Sequence, residues 1–313
     1  MDALIYKKLK EFGKVKANAP LAKFTTFKIG GSAEILLEVE DKNKLVHALD
    51  FLSAIGVDYF VIGGGSNILL PDDVYEGVAI RNKTSAIGMQ SKTIEADSGL
   101  SFAFLTNFAA RNSLSGLEWS AGIPGTVGGA VRGNAGASGG EIAGCLTKVE
   151  AWIDGEIVQI HSSECGFGYR DSLFKHNKAV VLKTWFSLAS GESIKSLMQM
   201  QEIVKRRNGY YPQYPSAGSF FKNVPILEWR GKASGLPQKF IEGGRIPAGW
   251  LNEQVGLKGT LVGGAMVSKE HGNFIINLNN ATQADVLKLV DEVKTRVYNK
   301  FKVTLEEEVH IIK

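Results

Sequence analysis

Gly122-Ile123-Pro124-Gly125-Thr126-Val127-Gly128-Gly129-Ala130, running on to Asn134-Ala135-Gly136-Ala137, is the stretch on which the reading of this chain turns. Pro124 fixes one φ angle, and the glycines permit positive φ or close backbone approach. A run this rich in glycine sacrifices backbone entropy, which a plain linker has no reason to do. Thr126, Val127, Ala130 and Val131 lie inside it, so it is not a flexible low-complexity segment either. Asn134 adds a side chain that can donate and accept. The pattern points to a ligand closely approached by backbone. A second cluster, Gly63-Gly64-Gly65-Ser66-Asn67, follows residues 58–62, which read as a buried strand. Its N–H groups can form a nest for a phosphate, and a tight structural turn explains it equally well. Ile68-Leu69-Leu70-Pro71 comes next and does not open a helix, so this is not the strand–turn–helix dinucleotide fingerprint. Two separate glycine clusters suggest a ligand with two ends, such as a dinucleotide.

The 313 residues correspond to two domains, or three, at about 100–200 residues each. Hydrophobic residues make up 44% and charged residues 22%, which excludes wholesale disorder, collagen-like repetition and a membrane bundle. The net charge is +4 and the basic residues are scattered, so no nucleic-acid partner is expected. Only two cysteines occur, Cys145 and Cys165, with no CxxC. That gives no disulfide framework, no expected metal site, and a fit to a reducing compartment. The opening MDALIYKKLKEFG lacks the apolar core of a signal peptide, and no apolar run reaches about 18 residues. A cytoplasmic protein with no membrane association and no protein partner is expected.

Ala33, Ile35, Leu37 and Val39 alternate with Glu34, Glu38 and Glu40, which predicts a half-buried strand. Asp41 caps a helix with the stripe Leu45, Leu49 and Leu52, and Gly56 ends it. Residues 72–190 read as strand-rich, with a hairpin at Asp154-Gly155 and one helix over residues 101–112. A helix is expected over 192–207, then little regular pattern over 210–248, including a polar insertion at 230–245. Thr282 and Asp285 form a capping box ahead of Val286, Leu289, Val290, Val293 and Val297 at helical spacing. A strand over 303–312 closes the chain.

Outside the glycine clusters, the residues suited to chemistry are few. Arg170, in Tyr169-Arg170-Asp171-Ser172, can clamp a carboxylate or phosphate, but residue type alone favours an exposed strand-end arginine. Ser219, in Pro215-Ser216-Ala217-Gly218-Ser219-Phe220-Phe221-Lys222-Asn223, suits a nucleophile, a proton donor or a plain turn. It is not a GxSxG elbow, and no histidine stands in a recognisable triad order, which disfavours acyl chemistry. In Glu306-Glu307-Glu308, Glu307 shares a strand face with Val303, Leu305, Val309 and Ile311, and Glu308 lies on the opposite face. Periodicity does not say which glutamate, if any, reacts.

The motifs taken together resemble one family. TTFKIGG at residues 25–31, GGGSN, GIPGTVGGAVRGNAGA, YRDSLFK, PSAGSFFKN, AGWLNEQVGLKG and the final LEEEVHIIK follow the order of UDP-N-acetylenolpyruvoylglucosamine reductases. The resemblance runs from about residue 21 to 312, with the Arg170-to-Ser219 spacing of the family's shorter form. It implies an α+β chain with an FAD-binding fold of the vanillyl-alcohol-oxidase (PCMH) type in two subdomains, residues 1–70 and 71–191. A substrate-binding domain would occupy 192–313, its last strand able to return to the FAD domain. The resemblance also implies non-covalent FAD, with NADPH as reductant and UDP-N-acetylglucosamine enolpyruvate as substrate. FAD would be held by residues 26–31, including Ile29 and Gly30, by Gly63, Gly64, Gly65, Ser66 and Asn67, and by Gly122, Ile123, Pro124, Gly125, Gly128, Gly129, Asn134, Ala135 and Gly136. Arg170 and Glu308 match residues that stabilise enolate-like charge, Ser219 matches the proton donor, and Tyr169 and Asn223 match positions near the substrate. The stretch 206–212 matches the family's basic segment only loosely, and the insertion at 230–245 is longer than in the shorter forms.

Two rival readings are an FAD oxidase of small alcohols or lactones on the same fold, and a non-catalytic nucleotide-binding protein. The only early histidine, His47, lies on a helix rather than at a glycine loop, which argues against the covalent flavin of many such oxidases. Arg170, Ser219 and Glu308 are all present, which argues against lost chemistry.

Overall fold

Ser32–Val39 forms a strand, and its burial departs from simple alternation. Its first residues alternate, but Leu36 and Glu38 are buried as well. The cause is its place in the sheet. In the computed structural model, which describes residues 2–230 and 235–312, it lies between Lys14–Pro20 and Tyr75–Asn82, with Tyr59–Ile62 beyond. The pairings with Tyr75–Asn82 are parallel, and parallel strands are covered on both faces. Glu38 is tolerated there because it faces Arg81 at 2.8 Å and Lys16 at 3.4 Å. Burial alone would raise its carboxyl, but those two cations hold it below the ordinary value.

Asp41 caps the helix Lys42–Ala54 by accepting from the Lys44 N–H at 2.9 Å, and Gly56 follows it at φ +65°. Leu45, Leu49 and Leu52 are fully buried against the sheet in one core with Ile35, Leu37 and Val39. The second sheet of this unit is antiparallel, in the order Glu156–His161, Leu146–Ile153, Val180–Ser187, Thr93–Asp97, Ile87–Gln90. Its hairpin turns at Asp154 (φ +49°) and Gly155 (φ +92°), the two positive φ values that a type I′ turn requires. The helix Phe102–Arg111, capped by Ser101, buries Phe102, Leu105 and Ala109 in the core of this sheet.

These elements make one compact unit, residues 1–19, 33–64 and 75–207. The other comprises residues 20–32, 65–74 and 208–313. Two short segments early in the chain therefore belong with its last third. The helix Ser193–Tyr210 spans the change from one unit to the other.

The second unit has an antiparallel sheet in the order Ser216–Ser219, Phe274–Asn277, Ala265–Val267, Leu261–Val262. The helix Gln283–Phe301 buries Val286, Leu289, Val290, Val293 and Val297, and its Thr282–Asp285 capping box is formed. The expected closing strand over 303–312 is corrected. Only His310–Ile311 pairs as a strand, parallel to Ile68–Leu69, with one isolated bridge between Phe221 and Glu307. Alternation of burial survives without a ladder: Val303, Leu305 and Val309 are buried, and Thr304, Glu306 and His310 are exposed. Residues 210–248 hold more structure than expected, including Ser216–Ser219 and the helix Gln238–Glu242. Of the insertion at 230–245, residues 231–234 lie outside the described residues. Among the described residues, no helix is long and apolar enough to cross a membrane.

Candidate active site

In the first unit the two glycine clusters meet. A Cβ on Gly64 would lie 2.7 Å from Gly125 Cα, and one on Gly63 would overlap Thr126 Oγ1. The backbones of 63–64 and 125–126 abut, so residue size is limited on both sides. The two clusters, separate in the sequence, here form one wall. Phe102 N–H donates to the Gly125 carbonyl at 3.1 Å, and Val127 N–H to Leu100 at 2.9 Å, which ties the loop to the helix Phe102–Arg111. Among the described residues, the N–H groups of Gly63, Gly64, Gly122 and Gly125 have no acceptor within the chain. Gly64 and Gly122 are exposed. Four unclaimed donors on a glycine-lined wall suit the phosphate oxygens of a dinucleotide, so these residues fit FAD. Thr126 accepts from Gly129 N–H at 3.4 Å and starts the helix Val127–Arg132. Gly128 is tight for a packing reason, since its Cβ would stand 2.7 Å from Ser98 Cβ. Ile123 is half-buried and its N–H is already given to Ser120, while Pro124 and Gly129 are exposed.

The end of this run is tied into the chain by its own hydrogen bonds. Asn134 is buried, with its Nδ2 donating to the Gly168 carbonyl at 2.9 Å and its Oδ1 accepting from Ala143 N–H at 3.0 Å. Ala135 is held by backbone bonds to Ala130 and Ile142. The Gly136 carbonyl accepts from Arg170 Nη2 at 2.6 Å. Arg170 occupies a tight turn in which Gly168 and Asp171 exchange both backbone hydrogen bonds, at 3.1 and 3.2 Å. It stands at φ +57°, unusual for a side chain of this size. Lys175 Nζ donates to its carbonyl at 2.6 Å, and its guanidinium lies 5.3 Å from the Tyr169 ring. The Arg132 guanidinium is pushed down by burial and supported by Asp171.

In the second unit, Ser219 ends the strand Ser216–Ser219, opposite Phe274. Gly218 before it is at φ +83°, and the ladder is bulged between Ser216 and Ser219. A bulge re-aims a side chain. The Ser219 hydroxyl makes no hydrogen bond among the described residues. Phe220 and Phe221 are buried and pin the segment. Glu308 N–H donates to the Phe220 carbonyl at 2.8 Å, so Glu308 sits one residue along from Ser219. Asn67 Nδ2 donates to the Glu308 carbonyl at 3.1 Å, which joins the end of the first glycine cluster to the same place. Thr26 N–H donates to the Gly65 carbonyl at 3.0 Å, and Thr26 Oγ1 to that of Ser216 at 2.7 Å. Gly30 (φ +137°) and Gly65 (φ +62°) both require glycine geometry. Ile29 is buried in the core and Ser66 is half-buried. Asn223 Oδ1 accepts from Ala248 N–H at 3.2 Å, so it supports the helix Ala248–Gln254.

Sequence reasoning missed Asn273. Its carbonyl takes Phe220 N–H, its Oδ1 takes Phe221 N–H at 3.0 Å, and its Nδ2 donates to the Phe221 carbonyl at 2.8 Å. This buried amide holds the segment after Ser219 on both edges. No local signal marks it, because its partners are 52 residues away.

Residues 33–160 match an FAD binding domain, and residues 211–312 match the C-terminal domain of UDP-N-acetylenolpyruvoylglucosamine reductase. A flavin-binding domain of PCMH type joined to that C-terminal domain defines an FAD-dependent oxidoreductase of α+β class. UDP-N-acetylenolpyruvoylglucosamine reductase of Carboxydothermus hydrogenoformans is 40% identical over 304 residues, 95% of this chain and 94% of the relative. That of Caldanaerobacter subterraneus subsp. tengcongensis is 35% identical over 318 residues, 100% of this chain and 99% of the relative. The crystal structure of the reductase from Thermus caldophilus superposes with a TM-score of 0.75 at 33% identity, covering 96% of this chain and 98% of that one. The chain belongs to the UDP-N-acetylenolpyruvoylglucosamine reductase family. The small-alcohol oxidase reading is thereby set aside.

Proposed function

We infer that this chain reduces UDP-N-acetylglucosamine enolpyruvate to UDP-N-acetylmuramate in peptidoglycan precursor synthesis, with FAD as cofactor and NADPH as reductant. The observation that carries this is likeness over the whole length to reductases of that name. We further propose the residue roles and the place of the reaction, the cytoplasm.

Residues 26–31 with Ile29 and Gly30, residues 63–67, and the loop 122–129 would hold FAD. When bound, FAD would supply hydride transfer between NADPH and the enolpyruvyl double bond. Arg170 offers a planar guanidinium, one N–H of which is held by the Gly136 carbonyl. A fixed guanidinium suits a substrate carboxylate and the charge that develops beside it, and lowers the barrier without reorganising. Ser219 delivers the proton. Its hydroxyl is a weak acid in water, so this role needs a fixed position next to a charge-organising group. The bulge, the phenylalanine pair and Asn273 supply the position, and Glu308 on the adjoining backbone supplies the group. Tyr169, whose ring lies 5.3 Å from the Arg170 guanidinium, would lie near the substrate. Regions 1–70 and 71–191 would serve the flavin, and 192–313 the sugar nucleotide.

The test is a visible spectrum of the purified protein under anaerobic conditions. NADPH is expected to bleach the bound flavin, and the enolpyruvyl sugar nucleotide to restore its colour. Recovery by oxygen alone would transfer the chain to oxidase chemistry, and a protein that takes up no FAD would sink the cofactor assignment.

A further inference from the structure

Arg170 is held in a backbone conformation that it would not choose. An arginine at φ +57° in the third position of a tight turn takes a place usually filled by glycine or asparagine. Such strain persists only where the surroundings over-determine it. The surroundings here come from one loop. Asn134 Nδ2 holds the Gly168 carbonyl, which also accepts Asp171 N–H and closes the turn. Ser172, at the far side of the turn, is buried and donates through Oγ to the Arg132 carbonyl at 2.7 Å. The guanidinium itself is tied to Gly136. Residues 132, 134 and 136 thus grip the turn after Arg170, before it and at its side chain, respectively.

Asn134 is the part of this grip whose side chain is wholly committed. It is 1% exposed, and its donor and acceptor each have a partner within the chain. Asn134 itself stands at φ +39°, so the loop too departs from its easiest path to present that amide. A side chain with both ends engaged in protein bonds is poorly placed to act as a flavin contact. We propose that Asn134 is a positioning residue for Arg170: its amide fixes the Gly168–Asp171 turn, and through it the direction of the guanidinium. This rests on the assignment of Arg170 to the reduction of the enolpyruvyl group.

The experiment compares wild type, Asn134→Ala, Arg170→Ala and the double variant as FAD-loaded proteins. Four quantities are read: FAD affinity by flavin fluorescence, thermal midpoint, flavin bleaching by NADPH, and anaerobic recovery of colour with the enolpyruvyl sugar nucleotide. Asn134→Ala is expected to slow recovery about 10–100-fold, as a misplaced catalytic group does. FAD affinity and bleaching should change by less than about threefold, and the double variant should recover no more slowly than Arg170→Ala alone, the coupling of residues acting as a unit. Weaker FAD binding with unchanged recovery at saturating FAD would make Asn134 a cofactor contact and overturn the proposal. Additive losses in the double variant would overturn it too. If Arg170→Ala recovers at the wild-type rate, the role of Arg170 falls first and the proposal with it. Should Asn134→Ala not fold, Asn134→Asp keeps the acceptor for Ala143 and removes the donor to Gly168. It is expected to show the same selective slowing, and normal recovery there would overturn the proposal.

Discussion

Ser219 stands on a bulged strand end with a hydroxyl that makes no hydrogen bond among the described residues, and Glu308 N–H is bonded to the next residue's carbonyl. Removing the hydroxyl breaks no hydrogen bond among the described residues. Ser219→Ala is therefore expected to bind FAD and be bleached by NADPH at wild-type rates. Its recovery with the enolpyruvyl substrate should fall by about 10²–10⁴, the range for loss of a positioned proton donor. Rapid-mixing absorbance of the flavin band separates the halves, and full turnover would remove Ser219 from the mechanism. Glu308→Gln keeps the backbone bond to Phe220 and removes the charge. It should slow recovery more than bleaching, and equal loss in both halves would count against the assigned role.

Among the elements, the wall formed by 63–64 and 125–126 is the least tolerant. Gly64→Ala places a methyl 2.7 Å from Gly125 Cα, where backbone and not a movable side chain must give way. Overpacking of this kind typically destabilises by about 1–3 kcal/mol. We expect Gly64→Ala to weaken FAD binding at least about tenfold and to lower the urea midpoint of the FAD-free protein. Gly144→Ala, whose Cβ meets nothing within 4 Å, is the control and should do neither. Fluorescence titration with FAD reads the first effect and denaturation the second. The helices show how much of an element is written locally. Asp41 and Thr282 cap where the sequence places caps, because capping involves neighbours three residues apart. The segment after Phe301 shows the opposite. Its alternation describes which side chains are buried but not whether a ladder forms, since a ladder needs a partner strand and only Ile68–Leu69 is offered.

For the molecule as a whole, stability should depend on pH through His271. Burial pushes its imidazole below the ordinary histidine value, against the pull of Glu253, and its Nδ1 accepts from Asn273 N–H at 3.1 Å. The folded chain thus favours the neutral ring, while the unfolded chain takes up a proton near pH 6.5. Between that pH and the lower folded value the unfolded state binds more protons, so stability falls as pH is lowered. Urea midpoints at pH 7.5 and 5.5 are expected to drop more in wild type than in His271→Gln. An equal drop would show that His271 does not contribute. The same linkage reaches the site, because Asn273 also holds the residues after Ser219.

The amino-acid sequence alone determined the class of fold, the glycine clusters, the helix caps, the hairpin at Asp154-Gly155 and the family. Each of these lies in residues near one another in the chain or in motifs met in order. Only the tertiary structure decided that residues 20–32 and 65–74 belong with the last third. It alone set 63–64 against 125–126, committed the Asn134 amide to Gly168, and assigned Asn273 to the strand of Ser219. These are pairings across 34 to 52 residues or more, fixed by packing and by the need of buried polar groups for partners, to which local periodicity is blind.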